Sequence, residues 1–158
     1  MLLIFFQIYM PTSNEYLNTC TKCKAFCCTL FLPPVTTQER LDILDAGNTD
    51  HFMKLSDDIY QIKTDSTGAC PYLSKDYSCT IQDIKPKLCR IWPVIPHDKY
   101  DKRGAIIIKC PLFPMLSQTD IDTLKKQGES VSCKVIQHLW NISEETKDKY
   151  KVFDYEEI

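Results

Sequence analysis

Apolar positions along the chain change period at prolines and glycines. Thr36-Thr37-Gln38-Glu39 has the form of a capping box: Thr36 accepts from the amide three residues on and Glu39 reaches back. A helix is predicted to follow through Leu41, Ile43 and Leu44 and to end at Gly47 in a left-handed cap. A short helical turn is expected around Phe52-Met53-Leu55, and Ile59-Tyr60-Gln61-Ile62-Lys63 reads as a weak strand. Ala105-Ile106-Ile107-Ile108-Lys109 is a β-branched run and predicts a buried strand leading into Cys110. The period then becomes helical. Thr119 caps a helix through Ile121, Leu124 and Lys126, closed by Gly128. From about Glu129, the residues Val131, Val135, Ile136, Leu139, Trp140 and Ile142 form one apolar stripe suited to core packing.

Between these blocks lies irregular chain. Pro71, Pro86, Pro93 and Pro96 punctuate residues 68–96 and exclude long helices there. The expected fold is therefore α+β and mostly α, a single small domain over 1–158. Its metal-binding core would cover about 18–115 in Cys-rich irregular loops, and its helical part 116–158. The apolar stretch 1–10 is too short to span a bilayer, lacks a basic start and a small-x-small cleavage pattern, and is read as dispensable to the fold. It is either a segment packed on the core or chain that precedes a true start at Met10. The charged tail from Glu144 is expected to be a solvated face or a frayed end.

Composition changes the picture in one respect. The length of 158 residues and the ordinary proportions of hydrophobic (44%) and charged (25%) residues exclude a disordered or polytopic membrane chain. The net charge of −2 argues against a nucleic-acid partner. Nine cysteines against four glycines are abnormal. The count is odd, and Cys20, Cys23, Cys27 and Cys28 crowd into one short stretch, which suits thiolate ligation better than loop-closing disulfides. With no export signal, a reducing cytoplasm is inferred. In the stretch Cys20–Cys28, C-x-x-C lets one turn offer two thiolates to one metal. Adjacent Cys27 and Cys28 point apart on an extended chain, so they suit different metals, or one bridging and one terminal role. Cys70, Cys79, Cys89 and Cys110 bring the set to eight, enough for two four-cysteine sites or for a cluster and a mononuclear site.

The spacing resembles the YkgJ-like cysteine-cluster family, zinc- or iron-chelating domains with a CxxCxxCC signature. The resemblance rests on Gly68-Ala69-Cys70-Pro71-Tyr72-Leu73, Cys79-Thr80-Ile81, Pro86-Lys87-Leu88-Cys89-Arg90-Ile91-Trp92-Pro93 and Cys110-Pro111, and covers residues 20 to about 125. It implies metal held by Cys20, Cys23, Cys27, Cys28, Cys70, Cys79, Cys89 and Cys110. The chain departs from the family pattern in four places. Three residues rather than two precede the Cys27-Cys28 pair, without the usual glycine. Gln82 replaces Tyr, Leu112 stands where Gly is common, and Lys85 replaces an Arg, losing a planar fork for anions. The longer flagellin lysine methylases of the family do not lend this chain their activity, and no catalytic residue is assigned.

Arg90 and Trp92 are expected at the cofactor, Arg90 to offset thiolate charge and Trp92, with Phe31, to form a dry shell. His97 is a weak ligand candidate, and His51 and His138 are read as structural or exposed. Cys133 is read as a buried small hydrophobe rather than a ninth ligand. Residues 84–103 hold six basic and two acidic side chains, read as a solvated loop. The scarcity of His and the adjacent cysteine pair tilt the reading to iron, as an iron–sulfur cluster with a redox or electron-transfer role, over zinc. The alternative is a zinc-stabilised module without catalysis that acts through a protein partner.

Overall fold

The computed structural model describes residues 14–30, 32–141, 148 and 153–158. Residues 1–10, Phe31, Ile142 and most of the tail from Glu144 thus lie outside the described residues. Helix α1 (Asn14–Lys22) leads into the single-turn α2 (Cys27–Leu30), then β1 (Pro34–Thr36), α3 (Thr37–Asp45), β2 (Phe52–Ser56) and β3 (Ile59–Ile62). The single-turn α4 (Lys87–Arg90) precedes the hairpin β4 (Val94–Lys99) and β5 (Lys102–Ile108). A 3-10 turn (Phe113–Met115), α5 (Gln118–Glu129), α6 (Cys133–Trp140) and β6 (Tyr155–Glu157) complete the described elements.

The expectation of a mostly α fold is overturned. Among the described residues, two antiparallel three-stranded sheets, ordered β1-β3-β2 and β4-β5-β6, stand beside the helices. Phe52–Ser56 is not a helical turn but a strand paired with β3. The proline-punctuated chain after Trp92 is β4, and Pro96 is tolerated there because β4 is an edge strand, where a missing N–H breaks no ladder. Tyr100 and Asp101 have φ of 54° and 57°, the left-handed pair that a two-residue type I′ hairpin requires. The end of the acidic tail is not frayed but adds β6 to β5, with Ile107 opposite Glu156.

The capping box at Thr36 forms as predicted. The Glu39 amide donates to the Thr36 hydroxyl at 3.2 Å, and Glu39 Oε2 accepts from the Thr36 amide at 2.8 Å. The later helix is capped two residues earlier than Thr119, by Ser117 with Asp120 in the same reciprocal form. Gly128 lies inside α5, buried against Ile91 and Pro96. The last described helix begins at Cys133 rather than Glu129 and buries Val135, Ile136 and Leu139, about 1.5–3 kcal/mol each if fully withdrawn from water. Two cores result. The larger joins β4, β5, α5 and α6 around Ile91, Ile107 and Ile136, and the smaller gathers Val35, Ile43, Phe52, Ile62, Tyr72 and Ile81.

Cys133 is exposed, which corrects the expectation of burial. It opens α6, and its sulfur lies 3.5 Å from Arg103 Nη2. Arg103 itself donates through Nη1 to the carbonyls of Gly128, Glu129 and Val131 and so closes the end of α5. His97 is buried, with the backbone of Gly104 beneath its ring. A Cβ at Gly104 would sit 2.5 Å from His97 Cε1. Gly104→Ala is therefore expected to cost about 1–3 kcal/mol, read as a lowered denaturation midpoint, because the buried ring has no room to retreat.

Candidate metal centre

Two parts of the chain carry the sulfurs inward. At the end of α1 the backbone turns sharply, with Ala25 N–H donating to Cys20 O at 2.8 Å. Lys24 and Ala25 adopt φ of 57° and 45°, a left-handed pair in residues other than glycine, where the family's usual glycine is absent. That turn lets Cys20, Cys23 and Cys27 share one small recess. Cys110, delivered by the end of β5, forms its other side, with Phe26, Trp92, Leu112 and Phe153 as apolar walls. The recess holds about 10 Å³.

The second part is the loop between β3 and β4. Asp65 Oδ1 accepts from the Thr67 and Ala69 amides at 2.7 and 3.1 Å and shapes the approach to Cys70. A tight turn at Ser74–Ser78 brings Leu73 opposite Cys79. The Cys70 amide donates to Cys28 O at 2.9 Å, which joins this loop to the first knot. Cys89 rides on α4, whose Pro86 cap has no side-chain acceptor. Glu39 Oε1 supplies one instead, accepting from the Lys87 amide at 2.8 Å. Cys28, Cys70, Cys79 and Cys89 thus meet at one cleft of about 680 Å³.

The eight cysteines expected as ligands are therefore all brought to this region, in two sets. Cys20, Cys23, Cys27 and Cys110 line the recess, and Cys28, Cys70, Cys79 and Cys89 the cleft, which Cys20 and Cys27 also border. Adjacent Cys27 and Cys28 touch: the Cys27 thiol donates to the Cys28 sulfur, so Cys28 is the more readily ionised of the pair. All nine cysteines are free thiols. Among the described residues, no three His, Cys, Asp or Glu side chains are closed to metal-ligating distances.

Burial is the chief electrostatic influence. It pushes Cys20 up to about 11 and Cys70 up to about 12, with neighbouring cysteines adding to the shift. Cys79, Cys89 and Cys110 are raised for the same first reason. Opposing this, backbone amides donate to sulfur: Tyr72 to Cys70, Ile81 to Cys79, and Leu112 and Phe113 to Cys110. The Trp92 indole N–H donates to the Cys110 sulfur. Such donors stabilise thiolate over thiol and are the groups a sulfur-bound metal needs around it.

Trp92 lies in the wall of the recess beside Cys110. Arg90 lines the cleft but is exposed, and its Nε is spent on the Lys85 carbonyl at 2.7 Å. The cation that acts on the thiols is Lys85, half-buried in the cleft and favouring the thiolates of Cys20, Cys28, Cys79 and Cys89. Sequence reasoning had noted Lys85 only as a lost Arg. Its place directly before Pro86, four residues from Cys89, was the available signal. His97 is remote from both sets and is bonded to Glu157 instead.

The donor set fits a thiophilic metal: eight sulfurs, amide donors to three of them, one nearby cation, and no histidine in either set. The comparisons with known proteins agree. A family model, CxxCxxCC, described as a zinc- or iron-chelating domain, matches residues 19–127. No curated protein and no solved structure matches the chain.

Proposed function

Because the chain belongs to the CxxCxxCC family of zinc- or iron-chelating domains, we propose that it holds two metal centres, each through four thiolates. The observation that carries this reading is that Cys28, Cys70, Cys79 and Cys89 line the cleft and not the recess, Cys23 and Cys110 the recess and not the cleft, with Cys20 and Cys27 at the border of both. Cys20, Cys23, Cys27 and Cys110 would hold the first metal, and Cys28, Cys70, Cys79 and Cys89 the second. Rotation about χ1 would draw each set together, since the sulfurs already share a cavity.

Cavity size bears on the metal's identity. A recess of about 10 Å³ has room for one small sphere, which supports a single zinc or iron ion at the first centre over a multi-iron cluster. The iron–sulfur preference drawn from the His-poor composition is retained as a second reading for the cleft alone, where space is ample. A four-thiolate zinc contributes folding energy without redox, whereas iron would add one-electron chemistry. In either case the chain's own residues do the same work. Amides of Tyr72, Ile81, Leu112 and Phe113 and the Trp92 indole hold the sulfurs, and Lys85 offsets part of the charge of about −2 that four thiolates leave on a divalent ion.

Anaerobic purification, metal analysis and an absorption spectrum test this. The expected result is about two metals per chain, colourless if both are zinc, with visible sulfur-to-iron bands at any iron-filled centre. A folded, metal-free protein with disulfides among the eight cysteines would overturn it.

A further inference from the structure

We infer that the C-terminal strand covers the first metal centre, with His97 and Glu157 as the positioning residues that hold Phe153 over it. This rests on the two-centre reading above and adds to it a device for access.

Cys110 follows the end of β5 directly, and it is that end of β5 which pairs with β6. Lys109 N–H donates to Asp154 O at 2.8 Å, and Ile158 N–H to Ala105 O at 3.0 Å. Phe153 emerges just before this strand and meets Phe26 edge-on, with ring centroids 5.7 Å apart. Both rings wall the recess of Cys20, Cys23, Cys27 and Cys110. The cover over the sulfurs is thus made from a residue far from them in sequence, held by one short strand.

A three-residue edge strand with all its residues exposed has little packing of its own. Its side chains supply the hold. Glu157 accepts from Lys99 Nζ at 2.6 Å and pairs with His97 Nε2 at 2.7 Å, while Glu156 pairs with Lys109 at 3.0 Å. The Lys99 pair is exposed on both sides and the Lys109 pair on the Glu156 side, so each is worth little singly. The His97 pair differs. Its ring is buried, fixed over Gly104, with Trp140 at its edge and Nδ1 without a partner. A buried ring with one fixed partner makes a rigid anchor point for Glu157. The cleft set, by contrast, has no wall from residues 153–158. Cys20 and Cys27 also border the cleft, so the strand covers the recess side of the first centre, the side of Cys23 and Cys110; opening it exposes that side to small chelating molecules and leaves access to the cleft set unchanged.

The test uses the full chain loaded with zinc and challenged with a chromogenic chelator, with release rate and thermal midpoint measured for each variant. Phe153→Ala is expected to speed release of about one of the two metals by roughly tenfold and to leave the other's rate unchanged. Phe153→Leu should restore most of the protection. Glu157→Ala should speed release of the same metal several-fold, and Glu157→Gln, which keeps a hydrogen-bonding group opposite His97, by less. A purely structural role would accelerate both metals in step with lost stability. Acceleration of both, or of neither, in Phe153→Ala and Glu157→Ala overturns the inference while the two-centre reading stands. Fewer than two zinc ions in the wild-type chain overturns that reading and this inference together.

Discussion

Cys89→Ser is expected to lose about one metal per chain and most of the soluble yield, whereas Cys133→Ser keeps its full metal content. Cys89 is half-buried on a single helical turn whose position depends on Glu39. A serine there leaves three sulfurs and an uncharged hydroxyl, too few donors for a closed centre. A structural four-thiolate site contributes on the order of 10 kcal/mol to folding, as much as the whole net stability of a typical domain. Cys28→Ser should behave like Cys89→Ser, because Cys28 is the member of the central pair that ionises more readily. Cys133 is exposed and meets the Arg103–Asp98 pair at the surface, so its replacement should cost within about 0.5 kcal/mol. Metal per chain in the three variants decides the matter. Equal loss from Cys133→Ser and Cys89→Ser would show that the ligands are wrongly assigned.

Chelation should collapse the fold around residues 66–112, and the metal-bound and metal-free proteins should respond to pH in opposite senses. With burial holding Cys20 at about 11 and Cys70 at about 12, both are protonated near neutrality, and a metal must displace those protons. Acid therefore releases metal, and the loaded protein loses stability as pH falls. In the metal-free chain these thiols have folded pKa values above the ordinary 9.0. Their contribution is intact below about pH 9 and is lost as pH climbs toward 11–12. Cys28, held low by its bond from Cys27, runs the other way and adds stability that fades as pH falls. Thermal midpoints across pH with and without chelator, together with proteolysis of 66–112, check both slopes. Unchanged protection after complete metal removal would contradict the dependence.

Much of the site was legible because cysteine spacing is a chemical signal that does not depend on the surrounding elements. The Thr36 box was readable for a like local reason. The opposed directions expected of Cys27 and Cys28 on an extended chain are not found: the pair opens the helical turn α2, the two sulfurs touch, and both border the cleft. What else failed was non-local. Pro96 looked like loop punctuation because an edge strand leaves no local mark of being an edge. The end of the acidic tail is solvated as read but gave no sign of being a strand, because its partners, Lys99 and Lys109, lie far off in sequence. Lys85 was undervalued because its meaning lies in the four sulfurs that surround it in space. The helix expected at Phe52 became a strand because β3 was there to pair with it, a contact that no window of sequence contains.

The two sulfur sets are nested along the chain, Cys28 to Cys89 lying wholly inside the span from Cys27 to Cys110. During synthesis the inner set is complete before Cys110 has been made, so on the two-centre proposal its metal would be captured while the chain is still growing. That capture ties down the intervening loop and shortens the effective distance the outer set must close, lowering the entropy cost of its own ring. On that proposal the outer set would close last, once Cys110 has been made. A nascent chain stalled between Cys89 and Cys110 would thus be a half-loaded intermediate with an open binding recess, the state most exposed to the wrong metal or to oxidation.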